Sequence, residues 1–161
     1  MYTTKWPVLL LLAATLSFVS VSCKKKKEDN TGLPANLREL LVGKKWQVVS
    51  EKPDREVDID GDGKPDSDFH KLAMDCELDD YTVFEDNGSV VESEGNDVCT
   101  ETPPAQIKWA LTDNSTAIAI TMPDEQYVMK ISSIDANILV VTKPYLVSGI
   151  SIIVTTTFKK I

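Results

Sequence analysis

The chain is poor in the residues that most enzymes and metal centres are built from. It holds one histidine, His70, and three cysteines with no Cys-x-x-Cys spacing among them. A zinc site or a Cys–His nucleophile needs more than that. His70 sits beside an acidic loop with no serine partner set around it, so it reads as an ordinary loop residue. A glycine-rich strand-to-helix turn that could cradle phosphate is missing, because Gly61 and Gly63 lie among aspartates that would repel it. Paired carboxylates such as Asp79 with Asp80 and Glu85 with Asp86 have nothing in the sequence to separate their pKa values, which leaves them as solvated charges. Positive charge is also scarce. Seventeen Lys and Arg face 25 Asp and Glu, for a net charge of −8, and the one basic cluster is confined to residues 24–27. A nucleic-acid partner is therefore excluded, since such a partner needs a basic face. There are no internal repeats, and no apolar run is long enough to span a bilayer comfortably. Catalysis is the least supported class of function.

The longest uncharged apolar stretch, residues 8–21, follows Lys5 and ends in Ser20-Val21-Ser22-Cys23. This is the pattern of a secretory signal peptide, residues 1–22, cut before Cys23. The site resembles a bacterial lipobox, which implies a diacylglycerol on Cys23 and a membrane attachment. Residues 23–34 then form a lipidated cysteine and polar tether. The tract from Lys24 to Gly32 has no apolar residue and cannot fold alone. Within it, Lys27-Glu28-Asp29 resembles the Lys-acidic-acidic export signal of Bacteroidota surface lipoproteins, which implies an outer-membrane protein exposed at the cell surface. Removing residues 1–22 takes away only Lys5, so the mature chain is one unit more negative.

The sequence that dictates a chemistry is Asp58-Ile-Asp-Gly-Asp-Gly-Lys-Pro-Asp-Ser-Asp68. Asp58, Asp60 and Asp62 occupy positions 1, 3 and 5 of a loop, Gly63 position 6 and Asp66 position 9; Lys64 at position 7 would offer its backbone carbonyl. Alternate residues of a tight turn point oxygens inward, and Ca²⁺ takes six to eight of them. Position 12 is Phe69 rather than Glu, with Asp68 one residue earlier, so the loop is expected to close differently from an EF-hand. It resembles the stand-alone DxDGDG calcium loops of dockerin-type and other extracellular modules. Asp58, Asp60, Asp62, Lys64, Asp66 and Asp68 are the expected Ca²⁺ set. The competing reading is an acidic connector whose Gly and Pro simply make turns.

With Cys23 assigned to lipid, Cys76 and Cys99 remain as a pair. An oxidising compartment favours a disulfide between them.

From residue 35 onward the pattern is that of one all-β domain, residues 35–161. Leu37, Leu40 and Leu41 at helical spacing predict one short helix over 34–42. Strands are then expected at 46–49, 81–84, 89–92, 107–111, 118–122, 127–134, 138–142 and 150–158, with a long excursion over 51–77. Asn87-Gly88 between two β-prone runs is a strong hairpin signal. Eight short strands linked by turns favour an up-and-down antiparallel barrel or a related sandwich.

Gly43-Lys44-Lys45-Trp46, Tyr81-Thr82-Val83-Phe84 with Asp86-Asn87-Gly88, and Trp109-Ala110-Leu111 resemble the corresponding stretches of lipocalin-like lipoproteins of Bacteroidota. The resemblance covers about residues 37–161 and implies an eight-stranded barrel that binds rather than catalyses. Two functions follow as expectations. The first is a carrier in which Trp109, Ile118, Ile120, Met129 and Phe158 line a site for a small hydrophobic ligand; those side chains could equally fill the barrel as core. The second is a calcium-ordered surface module, with a filled barrel, that binds glycans or proteins through its long loop.

Overall fold

The computed structural model describes residues 32–99 and 105–161. The signal peptide, Cys23, most of the tether and Pro103-Pro104 lie outside the described residues. The chain opens with a one-turn helix, α1 (Leu37–Leu41). Eight strands follow: β1 (Lys45–Pro53), β2 (Tyr81–Phe84), β3 (Ser89–Ser93), β4 (Ile107–Thr112), β5 (Ala117–Thr121), β6 (Gln126–Ile134), β7 (Ile138–Val147) and β8 (Ile150–Lys160). They form a closed barrel in sequence order, and β8 pairs antiparallel with β1 to complete it. The expected all-β, eight-stranded up-and-down antiparallel barrel with one short helix is the fold observed.

Period-two alternation decides which side chains fill the interior. Trp109 is opposite Ile120 and Leu111 opposite Ile118; Ile118 is in turn opposite Met129, and Leu139 opposite Phe158. These side chains and their neighbours form one apolar cluster. α1 closes the end of the barrel where β1 begins. Leu37 and Leu41 enter the cluster, and Val42 bridges to Phe84. Trp46, fully buried, donates its indole N–H to the Leu41 carbonyl at 3.0 Å, which satisfies the one polar atom of an otherwise apolar plug. Arg38 donates to Asp86 Oδ1 at 2.8 Å and lies 5.2 Å from the Trp109 ring centroid, tying the helix to the β2–β3 turn.

Two strands run four or more residues beyond their expected ends. β7 continues through Pro144 to Val147, because its partner there needs no N–H from proline. Ile153, opposite Pro144, turns its own N–H and C=O toward Asp54, so this pair carries no ladder bonds. β1 continues to Pro53 past a bulge at Val49, where the register with β8 shifts between Val48 and Ser50. The Asn87-Gly88 hairpin forms as expected, with Gly88 in the left-handed conformation that the turn requires.

The ladders differ greatly in length. β7 and β8 are paired along their whole length, whereas β2 meets β1 only at Thr82–Val83 and β3 meets β4 only at Ser89–Val90. The β2–β3 hairpin is thus joined to its neighbours near the closed end and stands free of them toward the other.

Candidate ligand chamber and acidic loop

The free upper part of β2–β3 leaves a slot in the wall, and the barrel interior is continuous with it in lining. The slot encloses about 850 Å³, with Trp46 and Val48 on its inner side and His70, Glu77, Asp80 and Glu94 among its rim residues. A deeper space of about 190 Å³ lies within the barrel, shared with the slot at Val48, Glu51, Thr82, Val90 and Glu92. Ile120, Met129 and Phe158 line this inner space, as the alternation suggests. Trp109 and Ile118 do not line it and correct that part of the expected lining. Ile118 is fully buried at the closed end, and Trp109 packs edge-on against Phe84 at 5.4 Å and donates its indole N–H to the Glu85 carbonyl at 2.9 Å.

Sequence reasoning missed the polar half of the chamber. Glu51, Thr156, Tyr127, Lys143, Tyr145 and Glu92 all face the inner space. Glu51 is turned inward by the bulge at Val49, without which simple alternation would present Ser50. Thr156 donates to Glu51 Oε1 at 3.3 Å. The Lys143 ammonium lies 3.8 Å from the Tyr127 ring centroid and 4.3 Å from that of Tyr145, held on two aromatic faces. Burial, with Glu92 next in weight, pushes the Tyr127 hydroxyl up to about 12, so it stays protonated. Glu92 is open to water through the slot, yet the protein packed around it, and then Asp80, raises its carboxyl above the ordinary range. Asp80 is raised likewise, by burial first and then by Glu94, Asp79 and Glu77. Its Oδ1 is buried without a hydrogen-bond partner among the described residues. Parity could have found Lys143, which shares the face of Leu139 and Val141, and Glu92, which shares that of Val90.

The loop over 54–80 covers one side of the slot. Its first part is a small hairpin of its own, closed by the Val57–Asp66 bridge, and the aspartates lie in that turn. Asp58, Asp60 and Asp66 bring one carboxylate oxygen each to within 4.8 Å of one another. Backbone N–H groups hold these carboxylates: Gly61 and Gly63 donate to Asp58, Asp62 to Asp60, and Ile59 to Asp66. The grouping does not include the rest of the expected set. Asp62 is taken by Lys64, whose ammonium lies 3.1 Å from its Oδ2. Asp68 works elsewhere, accepting from Ser50 Oγ at 2.9 Å and from the Glu51 N–H at 2.7 Å, so that it ties the loop back onto β1. Burial pushes its carboxyl up, but the hydrogen bonds from Glu51, Ser50 and His70 outweigh that and leave it below the ordinary value.

The far end of the loop is pinned twice. Cys76 and Cys99 form a disulfide with Cα atoms 5.4 Å apart, joining the β1–β2 loop to the segment after β3. Beside it Asp79 Oδ2 accepts from the Asn96 N–H at 2.6 Å, and Gly95 approaches so closely that a Cβ there would collide with Asp79.

A closed antiparallel barrel, sealed at one end and carrying a partly apolar chamber toward the other, defines a β-barrel domain suited to holding a small molecule. The family model described as Lipocalin-like domain matches residues 41–141, and the chain belongs to that family. Such domains are typically binding rather than catalytic. No match is found among curated proteins or among solved structures.

Proposed function

We propose that the protein is an exported binding lipoprotein that holds a small ligand with an apolar body inside its barrel. The chamber carries this reading. An inner space of about 190 Å³ floored by Ile120, Met129 and Phe158 opens into a wider slot, which gives an apolar group a dry seat and a way in. Mass spectrometry under native conditions on the purified protein tests it. A retained small-molecule adduct, or uptake of a neutral apolar probe such as 1-octanol, is expected, and failure of every such probe to bind would remove the reading.

In the same reading Asp58, Asp60 and Asp66 hold Ca²⁺, with water and backbone oxygens completing the shell. The donors are all oxygen and mostly exposed, which suits a hard, partly hydrated cation. Calcium should raise the melting temperature over that in chelator, and Asp60→Ala should abolish the difference; equal melting with and without calcium would end the assignment. Attachment rests on Cys23: Cys23→Ser should release the protein from membranes into the soluble fraction.

One observation supports a second reading, a surface module for glycans or proteins. The 54–80 loop is tied down at Asp68, at the disulfide and at Asp79, which is more fastening than a passive connector needs.

A further inference from the structure

The chamber is unevenly signed. Glu51 and Glu92 face both the inner space and the slot, and Glu77, Asp80 and Glu94 line the slot with them. Among the described residues no Lys or Arg lines it; Lys45 stands beside its wall, with its ammonium 4.3 Å from the ring centroid of slot-lining Tyr81. Among the described residues Lys143 is the one ammonium of the inner space; it rests against Tyr127 and Tyr145 and forms no ion pair with either glutamate. Asp80 also lines the slot, and its buried Oδ1 has no donor among the described residues. Beside these carboxylates Val48, Phe84, Ile120, Met129 and Phe158 give the inner space an apolar wall.

We propose that the ligand is an amphipathic organic cation: an ammonium group held among Glu51, Glu92 and Asp80, on an apolar body that lies against Val48, Met129 and Phe158. The inference rests on the reading that the barrel holds a ligand, and it names the class. Charge decides it. In a partly enclosed recess, interactions with fixed charges are less screened than on an open surface. A fatty carboxylate entering by the slot would meet five carboxylates on the way to one lysine. An ammonium meets those same groups as attraction, and its N–H groups can donate to their carboxylate oxygens. Aromatic faces that already hold one cation show that the site tolerates positive charge at close range.

Calorimetric titration of the purified protein with octylammonium, 1-octanol and octanoate tests the class, because the three share an apolar body and differ in charge. Octylammonium is expected to bind more tightly than 1-octanol, and octanoate least. Glu92→Gln should weaken octylammonium about tenfold relative to 1-octanol measured on the same variant, roughly the effect of one nearby charge. Glu51→Gln provides an independent check, each variant being judged against its own 1-octanol binding. Lys143→Met should move the other way and tighten octylammonium. Octanoate binding as tightly as octylammonium, with 1-octanol also bound, would overturn the cation class and leave the ligand-holding barrel standing. Absence of binding by all three would overturn both.

Discussion

Replacing Asp68 by Ala separates its role as a clamp from any role as a metal ligand. The side chain makes two long-range hydrogen bonds of good length, from Ser50 Oγ and the Glu51 N–H, and a longer one of 3.3 Å from the His70 N–H within its own turn. Bonds to a charged acceptor contribute more than neutral ones, but this carboxylate is only half-buried. About 1 kcal/mol for each long-range bond, about 2 kcal/mol in all, is the reasonable magnitude. For a domain of this size that lowers the melting temperature by about 8 °C. Because the folded carboxyl lies below its unfolded value, the stabilisation is fully present above the unfolded pKa and is lost as the pH falls through the folded one. Thermal melts of wild type and Asp68→Ala should therefore differ at pH 7 and converge in acid. The difference at pH 7 should also be the same in calcium and in chelator. A loss that appears only when calcium is present would refute the clamp and return Asp68 to the metal site.

Three further outcomes are expected. Asp80 lies on the opposite side of the linkage: its folded carboxyl is raised, so the ionised form opposes folding at neutral pH and the penalty is relieved as the pH falls through the raised value. Asp80→Asn should raise the melting temperature at pH 7 and lose that advantage once the wild-type carboxyl is protonated; a lower melting temperature at pH 7 would contradict this. Reducing the Cys76–Cys99 bond, which spans 23 positions of sequence, should destabilise the fold by about 3 kcal/mol in the chain-entropy account, and denaturant titration with and without reductant measures it. Leu139→Ala, at a fully buried position opposite Phe158, should cost about 3 kcal/mol by the same titration with an unchanged strand signal in circular dichroism.

The barrel was legible because its strands announce themselves locally. Ile107, Trp109 and Leu111 alternate, as do Ile118 and Ile120, and Asn87-Gly88 marks its own turn. The acidic triad was legible for the same reason, since spacing within a turn is a local property. What the sequence concealed depended on events between strands. The bulge at Val49 shifts which residues of β1 face inward, so Glu51 could not be placed in the chamber by counting. Trp109 and Ile118 have the right parity for a lining but the wrong depth, and depth is set by how α1 and Trp46 fill the closed end. Asp68 reads as one more aspartate of the loop; only the return of the chain to Ser50 and Glu51 shows that it is a fastening.

The chain enters the barrel at its sealed end, where Leu37 and Leu41 pack beneath Trp46, while the slot and the acidic turn lie toward the other end. A polypeptide held at Cys23 would have eight residues between that point and Gly32, a leash of about 30 Å at full stretch. The slot would then lie at the end of the barrel remote from that attachment. A ligand would come and go at the mouth farthest from the tether, so loading and unloading need not disturb the point of attachment.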